Sequence, residues 1–100
     1  MKIVYTPAAR NDLREIKAYI SQNLKNPAAS KNITDKIIRS IHNLAEFPNS
    51  GISVQEKTGR ETDCRCLISD NYGIIYSVQN TVQIIRVLDL RTDYMRFIFE

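Results

Sequence analysis

The residues best suited to chemistry are arginines in and just after the strand-like segments of the C-terminal half. Arg65, Arg86 and Arg91 are followed by Tyr94. Guanidinium groups bind phosphates through paired hydrogen bonds, and a tyrosine can stack on a base or supply a proton. We therefore predict that these four residues bind a target. An alternative stays open for Arg65 and Arg86, which would then complete the sheet edge by pairing with Asp63, Asp89 or Asp93.

Other kinds of site have little support. His42 is the only histidine, no serine–histidine–aspartate pattern surrounds it, and a solvated side chain is the favoured interpretation. Cys64 and Cys66 are two positions apart in an extended segment, roughly 7 Å from each other, which is poor for a disulfide. The sequence holds no second cysteine pair for a metal site. We therefore expect two small buried or half-buried thiols, no metal and no cofactor.

Length and charge limit the possibilities further. The 100 residues allow one domain, which we place at residues 1–100. No apolar run is long enough to cross a membrane, and no signal-peptide core follows the first residues, so we expect a cytoplasmic protein. The net charge of +3 permits an anionic partner without requiring one.

Two helices are predicted in the first half of the chain. Thr6 is a suitable N-cap and Pro7 a suitable first helical residue, and the apolar spacing that follows predicts a helix over 7–23. A second apolar stripe predicts a helix over 27–46, which ends before Pro48. The short connection predicts an antiparallel helical hairpin.

Strands account for most of the remaining chain. Residues 2–5 read as a short strand, and the polar stretch 49–61 reads as a loop or a poorly formed edge segment. Alternating apolar residues predict strands at 63–69, 73–78 and 82–90, joined by tight turns. The order β-α-α-β-β-β predicts an α+β fold, with the helical hairpin packed on one face of a small, mainly antiparallel sheet.

Strand alternation also assigns faces to the arginines. It places Arg65 opposite the two cysteines, and it places Arg86 on the same face as Ile84 and Leu88.

Short motifs follow one another in a fixed order along nearly the whole chain: Ala9-x-x-Asp12-Leu13-x-x-Ile16-x-x-Tyr19-Ile20, Asn26-Pro27-x-Ala29, Leu44-x-x-Phe47-Pro48-x-x-Gly51, Arg65-x-Leu67, Asn71-Tyr72-x-Ile74-x-Tyr76, Ile85-Arg86-Val87-Leu88 and Arg91-x-Asp93-Tyr94. In this order and spacing the chain resembles the RelE/ParE superfamily of toxins from bacterial type II toxin–antitoxin modules. The resemblance implies the same fold and a cognate antitoxin as partner.

The superfamily implies two different activities. RelE-like members enter the ribosome and cleave mRNA, where the 2′-hydroxyl attacks the neighbouring phosphate and a base, an acid and cations are needed. ParE-like members poison DNA gyrase and need a docking surface. At positions where the nucleases carry cations, this chain has Cys64, Cys66, Gly73, Asp89 and Thr92. We therefore expect a ParE-like toxin without an enzymatic activity of its own.

Two alternatives remain open. For a RelE-like mRNA endonuclease, the catalytic candidates are Arg65, Arg91 and Tyr94, with Lys57 supplied by the 49–61 loop. The other alternative is a non-toxic adaptor domain of the same fold. For the antitoxin, which would lie in an apolar groove, the expected contacts are aromatic and apolar side chains: Tyr19, Phe97, Ile98 and Phe99.

Overall fold

The computed structural model describes residues 1–24 and 27–91. Its elements, in chain order, are β1 (Ile3–Tyr5), α1 (Pro7–Leu24), α2 (Pro27–Asn43), β2 (Ile52–Ser53), α3 (Val54–Thr58), β3 (Arg65–Ser69), β4 (Tyr72–Val78) and β5 (Val82–Asp89). The strands form a single sheet in the order β1-β5-β4-β3-β2.

The two long helices follow from their apolar stripes and their N-terminal signals. The Thr6 hydroxyl accepts a hydrogen bond from the Ala9 N–H at 3.0 Å and donates one to the Ile85 carbonyl at 2.7 Å. This N-cap therefore fixes the start of α1 to the sheet as well as to its own first turn. α2 ends at Asn43, three residues before the predicted end, because residues 44–46 tighten into a turn that starts with Leu44 N–H bonded to Ile41.

The sheet is mainly antiparallel, which confirms the predicted fold class. β3, β4 and β5 form a meander, and among the described strands only β1 is parallel to its neighbour, β5. The 49–61 stretch is more ordered than predicted, since it contains β2 and α3. Ser53 caps α3 by accepting the Glu56 N–H, and Gly59 ends the helix with a φ of 75°. Elements of two and five residues are too short to show periodicity.

Apolar residues are buried on both faces of the sheet. The larger cluster lies between the sheet and the helical hairpin and includes Ile37, Ile41, Ile74, Tyr76 and Ile84, among others. A smaller cluster consists of Val54, Cys66, Ile75 and Leu88, with Cys64 packed against it. Among the described residues, no helix is long and apolar enough to cross a membrane.

Candidate functional site

Asp12 occupies the edge of β5 where β1 no longer covers it. β1 pairs only with residues 82–84, so the described chain provides no strand beside the rest of this edge. Asp12, on α1 and only 6% exposed, accepts the Val87 N–H at 2.9 Å. Its carboxylate also accepts Nε and Nη2 of Arg86 at 2.7 and 2.9 Å. This hydrogen bonding raises the pKa of Arg86 above its usual value, and the bidentate pair fixes α1 against the sheet.

The carboxylate partner that the structure shows for Arg86 is Asp12, which the pairing alternative did not include. The expected face of Arg86 is wrong, because Ile84 and Leu88 belong to opposite clusters and share no face. The register between β4 and β5 shifts by one residue next to Arg86. Such a bulge reverses the alternation of side chains, and simple alternation cannot predict it.

Arg91 forms an exposed pair with Asp89 at the end of β5. The Arg91 Nη2 lies 2.6 Å from Oδ2 of Asp89, and the Arg91 N–H also donates to this carboxylate, at 2.9 Å. The hydrogen bonds from Arg91 lower the pKa of Asp89. Of the three arginines predicted to bind a target, Arg86 and Arg91 therefore already have carboxylate partners.

Tyr19 and Tyr72 stand between two adjoining grooves at this end of the molecule. One groove, of about 390 Å³, runs between α1 and β5, and the other, of about 520 Å³, lies beside the β3–β4 turn; both tyrosines line both grooves. Tyr19 is 56% exposed, whereas Tyr72 is 6% exposed. Burial, followed by the Asp89 charge, raises the pKa of Tyr72. The predicted antitoxin contact at Tyr19 thus lies on an accessible, partly apolar surface.

Arg65 and Tyr76 hold the turn that precedes β2. The Tyr76 hydroxyl donates to the Pro48 carbonyl at 2.8 Å and accepts the Gly51 N–H at 2.9 Å. Nη1 of Arg65 donates to the Gly51 carbonyl at 2.7 Å. A Cβ at residue 51 would lie 2.6 Å from the Tyr76 hydroxyl oxygen. This close approach explains the glycine in the Leu44-to-Gly51 motif.

A cleft of about 430 Å³ brings Arg65 and Lys57 together. We call it the Arg65–Lys57 cleft; its lining is Gly51, Ile52, Ser53, Glu56, Lys57 and Arg65. Two of the three described candidates for a nuclease site therefore share one cleft. The 49–61 segment does supply residues to it, through α3 and β2.

The third described candidate, Arg91, lies at the other end of the sheet. Arg65 pairs with Tyr76, whereas Tyr72 pairs with Asp89, the partner of Arg91. Four residues along β4 correspond to about 13 Å between the backbone positions of Arg65 and Asp89. Arg65 is bonded to the Gly51 carbonyl and Arg91 to Asp89, so each guanidinium is held at its own end of β4. Tyr94 and the predicted antitoxin contacts Phe97, Ile98 and Phe99 lie outside the described residues.

On the sheet face opposite the helical hairpin, the smaller cluster contains Cys66 and has Cys64 packed against it. Cys66 is 5% exposed in the smaller cluster, and burial raises the pKa of its thiol, with a smaller opposing effect of Lys57. Both cysteines are free thiols, as expected. At Gly73 a Cβ would lie 2.7 Å from Cδ2 of Leu90. Among the residues that the structure describes, no cluster of histidine, cysteine, aspartate and glutamate side chains could hold a metal ion.

The family model of the ParE toxin of the type II toxin–antitoxin system parDE matches residues 3–94. The chain belongs to the ParE toxin family. This confirms the superfamily that the motifs indicated. Toxins of the ParE family pair with an antitoxin in a ParDE complex.

The fold of this ParE family member is similar to that of a solved chain described as the chromosomal ParDE TA system from P. aeruginosa. The TM-score is 0.75 at 18% identity, over 90% of this chain and 96% of that one. At this identity the likeness concerns the fold alone. Among curated protein sequences, none matches.

Asp12 is the important residue of this ParE chain that the sequence interpretation did not assign a role. A signal was present, because Asp12 follows Ala9 by three positions and precedes Ile16 by four, which places a carboxylate beside the apolar stripe of α1. A charged residue at such a position is buried only when it is paired.

Proposed function

We propose that this protein is a ParE toxin that stops growth by poisoning DNA gyrase and is neutralised by a cognate antitoxin. The observation that carries the proposal is the family match over residues 3–94. Residues 1–100 would form one toxin domain that acts in the cytoplasm, where gyrase and the chromosome are found. Tyr19 and the grooves beside it are the proposed antitoxin contact. The proposed target contacts are Arg65, Arg86, Arg91 and Tyr94.

The distribution of cations supports a docking function over a catalytic one. Cleavage of RNA through its 2′-hydroxyl needs a base, an acid and cations around one phosphate. Arg86 and Arg91 are paired with carboxylates, and Arg65 lies at the opposite end of β4 from the Asp89–Arg91 pair. Two positions that carry cations in the nucleases, Cys64 and Cys66, contribute to an apolar cluster in this chain. A protein that docks on gyrase needs no converging catalytic groups.

The RelE-like alternative has one observation in its favour, the shared cleft of Arg65 and Lys57. Expression of the chain from an inducible promoter separates the possibilities, if protein synthesis and DNA integrity are followed independently. The proposal predicts growth arrest with DNA breaks while translation continues at first. Rapid loss of protein synthesis with cut mRNA would show the endonuclease instead. Unaffected growth would indicate a non-toxic adaptor.

Neutralisation needs a second arm of the same experiment. The small acidic open reading frame that we expect beside the toxin gene is co-expressed with the chain. Growth should be restored, and the two proteins should purify as one complex. Toxicity that persists with this protein present would contradict the antitoxin half of the proposal.

A further inference from the structure

Arg65 is the one described target-binding candidate that has no carboxylate partner. Within the described ranges 1–24 and 27–91, its hydrogen bonds go to the main-chain carbonyls of Asn49 and Gly51, at 3.5 and 2.7 Å, both from Nη1. A guanidinium has five N–H donors. The Nε and Nη2 donors of Arg65 therefore have no acceptor in this part of the chain, and they form the edge that binds an oxyanion in a bidentate manner.

Charge in the Arg65–Lys57 cleft is also unbalanced. Arg65 and Lys57 contribute two positive charges and Glu56 one negative charge, so the lining carries a net charge of +1. The exposed ammonium of Lys57 has no partner in the described part of the chain. This balance fits a ligand group with a single negative charge, which a carboxylate and a nucleic-acid phosphodiester both carry.

Two features of the surroundings indicate what carries the anion. Ile52 lines the cleft and is 44% exposed, so the ligand has an apolar group to cover. β2 is the last strand of the described sheet, so one of its edges is open to an extended segment. A protein segment that combines a carboxylate with an apolar side chain satisfies both features, whereas a nucleic acid has no peptide main chain to pair with the edge of β2.

We propose that the Arg65–Lys57 cleft binds an aspartate or glutamate side chain of the toxin's protein target, with Ile52 covered by an adjacent apolar residue of that target. The inference rests on the proposed gyrase function. It goes beyond that function because it assigns the contact at Arg65 to a carboxylate of the target.

The test measures binding of purified chain to purified gyrase without DNA, and then trapping of cleaved plasmid with DNA present. Lys57→Gln should weaken binding about 2- to 5-fold, as expected for an exposed ion pair, and Arg65→Gln should weaken it about tenfold or more. Glu56→Gln should strengthen binding about 2-fold, because it removes the competing carboxylate. Arg14→Gln, which removes one positive charge from the exposed side of α1, should leave binding unchanged.

Two variants keep the test independent of folding. Arg65→Gln also removes the bond to Gly51, so its thermal unfolding must be compared with that of the wild-type chain. Lys57→Gln and Glu56→Gln each replace a charged side chain for which the structure describes no hydrogen bond. The thermal unfolding of these two variants should therefore match that of the wild type.

Each outcome decides between explanations. If Lys57→Gln weakens the binding of gyrase without DNA and Glu56→Gln strengthens it, the carboxylate site is supported. Variants that bind gyrase normally but trap less DNA would indicate a phosphate ligand, and variants that behave like Arg14→Gln would exclude any specific anion; both overturn the inference. If the wild-type chain neither binds gyrase nor traps DNA, the proposed function itself fails.

Discussion

Replacing Asp12 with alanine should destabilise the fold more than any exposed substitution. The Asp12 side chain is 7% exposed, and its carboxylate accepts two hydrogen bonds from Arg86 and one from the Val87 N–H. In Asp12→Ala the guanidinium loses its counter-ion and the buried N–H loses its acceptor. The Val87 N–H would then be buried without its acceptor.

The expected magnitude follows from this geometry. Removing one member of a buried ion pair costs about 3–5 kcal/mol. The lower end applies here, since the Arg86 side chain is 26% exposed and water can reach part of it. We therefore expect the free energy of unfolding to fall by about 3 kcal/mol, which for a chain of this size lowers Tm by about 12–24 °C.

Thermal and urea unfolding, followed by circular dichroism, measure this loss. Asp12→Asn keeps an acceptor for Val87 and should lose about 1–2 kcal/mol, so the difference between the two variants reports the orphaned N–H. Adding Arg86→Met to Asp12→Ala should recover part of the stability, because no unpaired charge remains. Asp35→Ala, which removes an exposed carboxylate on α2, is the control. If Asp12→Ala matches this control within about 0.5 kcal/mol, the assigned role of Asp12 is refuted.

Three further predictions concern the turn and the titrating groups. Gly51→Ala should cost about 1–3 kcal/mol in urea unfolding, because the Tyr76 hydroxyl lies in the space of the new Cβ; an unchanged midpoint would contradict the tight approach. Burial raises the pKa of Tyr5, Tyr72 and Tyr76 above 10.0, so the unfolded chain loses these protons first and stability should fall as pH rises past about 10. Tyr76→Phe should flatten this decline, and an equally steep decline would contradict the assignment. Arg91 lowers the pKa of Asp89, so the stability from this pair is present above about pH 4 and lost as pH falls further; Asp89→Asn should cost under about 1 kcal/mol at pH 7 and nothing near pH 2, and a loss that persists in acid would contradict it.

The helices and the meander could be predicted because their patterns are local. The apolar stripe of α1 repeats over several turns, and Thr6 with Pro7 marks its start within the sequence itself. β2 and α3 could not be predicted in the same way, since a two-residue strand and a five-residue helix give no periodic signal. β2 forms by pairing with β3, whose residues lie beyond α3 in the chain.

The site was predicted less completely because its contacts are long-range. Arg86 is 74 residues from Asp12, and no spacing rule links the two. The bulge beside Arg86 could not be predicted from the sequence either, because an extra residue in a strand changes the face of a side chain without changing the residue pattern. Residue types did suggest Arg65 and Lys57 as candidates, but only the folded chain shows that they share a cleft.

Trapping of gyrase on DNA by the purified chain is the most direct test of the central claim. Gyrase, ATP and supercoiled plasmid are incubated with increasing amounts of toxin, and the protein is then denatured and digested before electrophoresis. We predict that linear plasmid accumulates with toxin concentration, only when gyrase is present, and that adding the antitoxin beforehand prevents it. If no gyrase-dependent linear plasmid appears while the same preparation cuts mRNA on translating ribosomes, the gyrase account is contradicted.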